Sequence, residues 1–102
     1  MLWLQGDIYI ETIDNLPQSA IAQPDVVLAE GEATGHQHRV EDPLSAIVFD
    51  DRGQLYLNIT ADRARLVHDE HAPIVLLHGL YRVWRQREYD PNLAAYSRIV
   101  QD

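Results

Sequence analysis

The stretch Ala46-Ile47-Val48-Phe49-Asp50-Asp51-Arg52-Gly53-Gln54-Leu55-Tyr56-Leu57-Asn58-Ile59-Thr60 decides the fold. Within it Leu55, Leu57 and Ile59 alternate with Tyr56, Asn58 and Thr60. Successive side chains of a strand project to opposite faces, so this spacing lays one apolar face on a core and leaves a more polar face outside. Residues 46–49 form a second short apolar segment, and the intervening Asp50-Asp51-Arg52-Gly53 is turn chemistry. Together they predict a β-hairpin closed by a four- or five-residue loop.

The remainder of the chain has the same grain. Turn signals recur at Leu16-Pro17, Gln23-Pro24-Asp25, Thr34-Gly35, Glu41-Asp42-Pro43, His78-Gly79 and Asp90-Pro91-Asn92. Between them lie short segments at 7–13, 26–30, 36–40, 64–68, 74–77, 81–89 and 97–100, of strand rather than helix length. Ala61-Asp62-Arg63-Ala64-Arg65-Leu66 and residues 91–96 carry helix formers but are too short for more than one helical turn each. The expectation is an all-β fold: one antiparallel domain over residues 1–102, built as a small barrel or sandwich. With 102 residues, 46% of them hydrophobic, the chain has enough apolar surface for one core.

Composition excludes several function classes. There is no cysteine, hence no disulfide, thiolate metal site or cysteine nucleophile. The longest apolar run, Ile74-Val75-Leu76-Leu77, is far too short for a membrane-spanning helix. No basic segment followed by a long apolar one marks a secretory signal, so a cytoplasmic location is expected. The chain has no glycine-rich phosphate loop and no G-x-S-x-G nucleophile elbow. All bases are arginine, and the formal net charge is −8. The first 51 residues hold ten acids against Arg39 alone; the rest hold seven arginines against six acids. Affinity for phosphate backbones comes from neutralising them with cations, so nucleic acid and anionic membrane are not expected partners. The local exception is Arg82, Arg85 and Arg87, interleaved with Tyr81, Trp84 and Tyr89. They read first as an arginine-rich strand paired with the acidic half, and second as an anion site or an interface.

The histidines are the constellation that carries chemistry. His36 and His38 are two apart, so on a strand their imidazoles share a face. His68-Asp69-Glu70-His71 sets two imidazoles and two carboxylates in four residues. On a straight strand His68 and His71 would face opposite ways; a turn or bulge would bring them together, with Pro73 favouring a reversal. Imidazole is the commonest nitrogen ligand at neutral pH. If the two clusters meet, His36, His38, His68 and His71 with Glu32, Glu41 or Glu70 form a histidine–carboxylate set for a divalent transition metal: Zn, Fe, Mn, Ni or Cu. The competing uses are a hydrogen-bonded polar core and a pH-responsive interface. His78, before Gly79, reads as a turn residue.

Gly31-Glu32-Ala33-Thr34-Gly35-His36-Gln37-His38-Arg39 resembles the first cupin motif, a glycine followed by H-x-H and a later glutamate, with Glu41 one or two residues early for that role. Pro73-Ile74-Val75-Leu76-Leu77-His78-Gly79-Leu80-Tyr81-Arg82-Val83 is similar to the second, where a proline–glycine turn precedes a histidine ligand; Tyr81 or Arg82 stands at that ligand's place. The resemblance implies a small β-barrel with a metal site. The chain is also similar, over residues 31–89, to a group of small uncharacterised bacterial proteins with G-E-x-T-G-H-x-H-R, L-V-H-x-E-H-x-P-I and Y-R-V-x-R-Q-R-E-Y. That resemblance implies a family and no activity.

Three functional readings follow. The first is a small soluble β protein that binds a transition metal or small anion through His36, His38 and His68 or His71, with Lewis-acid or redox work at an open coordination position if it is catalytic. The second is a non-enzymatic homo-oligomer or protein-interaction module, with 81–89 as an edge strand mating with the acidic half of another copy. The third is an acidic decoy for a basic nucleic-acid-binding protein.

Overall fold

The computed structural model describes residues 1–30 and 36–85. Glu32, the Thr34-Gly35 turn, Arg87, the end of the 81–89 segment, the 91–96 helical turn and the 97–100 strand lie outside the described residues. Eight strands follow in order: β1 (Leu2–Gln5), β2 (Ile8–Ile13), β3 (Ile21–Ala22), β4 (Val27–Glu30), β5 (Gln37–Val40), β6 (Ala46–Asp51), β7 (Gln54–His68) and β8 (His71–Arg85). All pair antiparallel in one sheet ordered β1-β2-β8-β7-β5-β4; β6 also pairs β7, and β3 pairs β6. The sheet curls into a half-barrel. Among the described residues no helix is long and apolar enough to cross a membrane.

The hairpin of β6 and β7 is present, with Ala46 opposite Ile59 and Asp51 opposite Gln54. Its loop is only Arg52-Gly53, with φ of 55° and 88°. A two-residue turn of this kind matches the strands' twist but needs positive φ at both positions, which glycine supplies without strain. The Asp50 carboxylate accepts the Gly53 N–H at 2.8 Å, so the expected loop residues become strand and cap.

Segments 55–60 and 64–68 are one strand, as are 74–77 and 81–85. The helical turn over 61–66 does not form, because Ala64 and Leu66 are buried while Arg63 and Arg65 are exposed, a strand alternation. What the sequence marks as interruptions is instead a bend. The β7–β8 register shifts between Ile59 and Arg63, and Ser45 O accepts both the Thr60 and Ala61 N–H groups, at 3.0 and 3.2 Å. Gly79, at φ 149°, lies opposite Ile59 inside β8, so no proline–glycine turn precedes Tyr81. Extra residues on one strand increase local twist and bend it. The bend lets the first half of β7 pair with β6 and its end pair with β5.

The 81–85 segment is not a sheet edge. Its outer side is taken by β2, with Glu11 opposite Arg82 and Tyr9 opposite Trp84. β1, unmarked in the sequence reading, pairs outside β2 through the Gly6-Asp7 turn. Inside the curl Ile8, Ile10, Val40, Val48, Leu57, Ile59, Leu66 and Val83 form the main core. On the opposite face Tyr9 stacks on Trp84 at 5.4 Å, flanked by Leu2 and Leu4.

Truncating a fully enclosed leucine loses its transfer free energy and leaves a cavity. Leu57→Ala, at 0% exposure, should therefore cost about 3 kcal/mol in urea unfolding. Leu77→Ala, at 66% exposure, should stay within about 0.5 kcal/mol of the parent.

Candidate functional site: a histidine cluster at one end of the half-barrel

The β7–β8 hairpin closes with Asp69-Glu70, and His68 and His71 are a cross-strand pair on either side of that turn. Their rings are 4.7 Å apart. The reversal falls at Asp69-Glu70 rather than at Pro73, which lies within β8. β5 pairs β7 with Arg39 opposite Val67, a register that sets His38 beside His68. The His38 and His68 rings are 4.2 Å apart, and His38 and His71 6.0 Å. His36 meets His68 edge-on at 5.8 Å. Four imidazoles from β5, β7, β8 and the residue preceding β5 thus gather in one place.

The flanking carboxylates fall differently from the sequence expectation. Glu70 Oε1 is 3.0 Å from His36 Nδ1, and Asp69 Oδ2 is 3.7 Å from His36 Nε2. Glu70 meets His68 through its backbone, donating its N–H to His68 Nδ1 at 3.0 Å. Glu41 pairs with Arg65 at 3.8 Å. His78 is exposed within β8, beside Gly79 rather than in a turn. Among the described residues no three histidine, aspartate or glutamate side chains already stand around one point as metal ligands do.

Three residues of the β1–β2 turn complete the cluster, and the sequence reading passed over all of them. Gln5 is buried, and its Nε2 donates to Leu66 O at 3.0 Å and to Ala72 O at 2.9 Å. That leaves Oε1 as the atom 2.9 Å from His38 Nδ1, so Nδ1 carries a proton and donates it. The neutral His38 ring then has its lone pair on Nε2, 3.5 Å from Asp7 Oδ1. Gly6 has φ 59°, and a Cβ there would sit 2.6 Å from His71 Nε2. Only a glycine lets this turn lie against the His71 ring. The available signal was Gly6-Asp7 itself, a turn dipeptide between Trp3-Leu4 and Ile8.

The described arginines of this segment, Arg82 and Arg85, each make an internal contact through Nη2. Arg82 Nη2 pairs with Glu11 Oε1 at 3.0 Å, and its guanidinium lies 4.2 Å over Trp84. Arg85 Nη2 donates to Glu30 O. Tyr81 is buried, donates its hydroxyl to Leu77 O at 2.6 Å and meets Trp3 edge-on. The pairing of Arg82 with Glu11 joins the basic half of the chain to its acidic half.

Burial, then the adjacent His68 imidazole, push His38 down from 6.5 to about 4; Asp7 pulls the other way, and His71 and Arg85 add to the lowering. His36, which pairs with Asp69 and Glu70, also meets the His68 ring. Between pH 6.5 and 4 the unfolded chain binds a proton that native His38 refuses. This contribution is therefore complete above 6.5 and is lost as pH falls toward 4. In metal-free buffer, stability in urea unfolding should fall as pH drops from 6.5 toward 4, and His38→Asn should flatten that slope.

No curated protein and no solved structure matches this sequence. A domain of unknown function, DUF8820, matches residues 4–86, which hold all the described strands but the first two residues of β1, and all four clustered histidines. The chain belongs to the DUF8820 family.

Proposed function

We propose that the protein binds a divalent transition-metal ion at the histidine end of the half-barrel, through His36, His38 and His68 or His71. The observation that carries this reading is the gathering of four imidazoles at one end of the half-barrel, with His38 Nδ1 held by the Gln5 side chain. A ligating imidazole usually donates its other ring N–H to a fixed acceptor, which sets tautomer and orientation. Gln5 Oε1 is such an acceptor, and the Gln5 amide is itself held by two backbone carbonyls. A buried imidazole whose Nδ1 is so held presents Nε2 as the ring's ligating atom. Imidazole and carboxylate donors suit Zn, Fe, Mn, Ni or Cu. Loading requires side-chain rotation, chiefly of half-buried His36 and exposed His71. His68 would release the Glu70 N–H to join the set. An ion held with an open position would polarise a bound water or carbonyl, so Lewis-acid chemistry is available to the site.

Equilibration with Zn(II), Ni(II), Co(II) or Cu(II) at about pH 7.5, above the ordinary imidazole value, should leave bound metal in elemental analysis after free ion is removed. Uptake should fall as pH drops through about 6.5, because protonated imidazoles do not ligate. His36→Ala/His38→Ala should abolish high-affinity uptake while far-UV circular dichroism keeps its β signature. Failure of the parent to take up any of these ions would make the histidines structural. A homo-oligomeric assembly is then the better reading. Its support is the His71–Leu77 half of β8, where Val75 and Leu77 are exposed and, among the described residues, no strand lies beyond the β7 pairing.

A further inference from the structure

We infer that a second copy of this chain pairs with the free edge of β8, antiparallel and two-fold about Val75, so that two sheets join into one. The inference is independent of the metal reading. It rests on the assembly reading and deepens it by naming the surface and its register.

The edge is self-complementary in its hydrogen-bonding groups. Successive residues of a strand point their N–H and C=O to opposite edges. The Glu41 N–H bonds Arg65 O at 2.8 Å, so Arg65 points to β5 while Ala64 and Leu66 point to β8. Their register partners, Leu76 and Ile74, point back to β7, which turns Pro73, Val75 and Leu77 to the other side. β2 covers that side only from Leu80 onward, and among the described residues no strand lies against 73–77. The Pro73 nitrogen carries no hydrogen, and Leu77 O already accepts the Tyr81 hydroxyl at 2.6 Å. What remains is Pro73 C=O, Val75 N–H, Val75 C=O and Leu77 N–H. Turned about Val75, this set meets itself. The two Val75 residues exchange both bonds, and each Leu77 N–H reaches the other copy's Pro73 C=O.

Side chains and charge favour the same occupant. Val75 and Leu77 are exposed at 51% and 66%, while Leu76 between them is buried. In the pairing Val75 lies beside its own copy and Leu77 beside Pro73, so both apolar side chains are covered. Exposed sheet edges usually carry charges that forbid such pairing. Residues 71–81 contain neither acid nor arginine, the longest such run in a chain of net charge −8. Two copies therefore meet with least repulsion along this edge.

Sedimentation of the full chain in metal-free buffer should show a concentration-dependent dimer. Added sodium chloride should tighten it, because screening relieves the repulsion between two anionic copies and no ion pair is lost at the interface. Val75→Glu places a carboxylate opposite Arg65 of its own chain, so the far-UV β signature should persist. It also sets two like charges together at the two-fold axis, and the dissociation constant should rise roughly 10-fold or more. The chain has no cysteine, so Val75→Cys gives an unambiguous cross-link. Opposed residues that exchange both bonds stand about 5.5 Å apart at Cα, within disulfide reach, and oxidation should link the copies. If the parent dimerises but Val75→Glu dimerises as tightly, or Val75→Cys yields no linked dimer, the inference fails and assembly uses another surface. A parent that stays monomeric at its highest soluble concentration overturns both.

Discussion

The fifteen-residue ladder of β7 and β8 is the constraint on which the other strands depend. β2 adds to the outer side of β8, while β6 and β5 add in succession to the outer side of β7. Strands of this length are unusual, and a flat ladder would leave one face bare to solvent. The register shift between Ile59 and Arg63, opposite Gly79, bends the ladder so that its inner face closes on itself. Leu57 and Ile59 before the bend and Ala64 and Leu66 after it then share one core.

The histidine cluster is a consequence of where that ladder ends. A two-residue turn makes its flanking residues a cross-strand pair, so His68 and His71 meet whatever their spacing on a straight strand would say. β5 joins β7 only near this end and brings the H-x-H pair with it. The Gln5 amide then closes the space between β7, β8 and β5 by bonding Leu66 O, Ala72 O and His38 Nδ1 together. One buried amide thereby satisfies two carbonyls and sets the tautomer of the most buried imidazole. A buried polar group is tolerated on such terms, because each unmet partner would carry a desolvation cost.

The uneven distribution of charge along the sequence is largely undone in space. Strands of the basic half lie beside or across from strands of the acidic half, and Arg82–Glu11 and Arg65–Glu41 join them. The exposed Arg65–Glu41 pair contributes little stability by itself, and Arg82–Glu11 is partly buried. They matter as a record of topology: among the described residues, β7 and β8 of the basic half lie between β2, β5 and β6 of the acidic half.

Several features were legible in the order of residues alone. The alternation of Leu55, Leu57 and Ile59 required a strand with one buried face, Asp50-Asp51-Arg52-Gly53 required a reversal, and the spacing of His36 and His38 placed them on one face of a strand. These are local statements, governed by the two-residue period of the strand and by backbone sterics. The helix formers of 61–66 misled because propensity is weak beside cross-strand burial of Ala64 and Leu66. His78-Gly79 misled because a glycine serves a bend inside a strand as readily as a turn. What no local pattern contains is which strands become neighbours. Gln5, Gly6 and Asp7 lie more than thirty residues from His38 and more than sixty from His71, and nothing in their immediate sequence names those partners. Sheet order and register brought them together, because the apolar faces of β2, β5, β7 and β8 bury one another only in that arrangement.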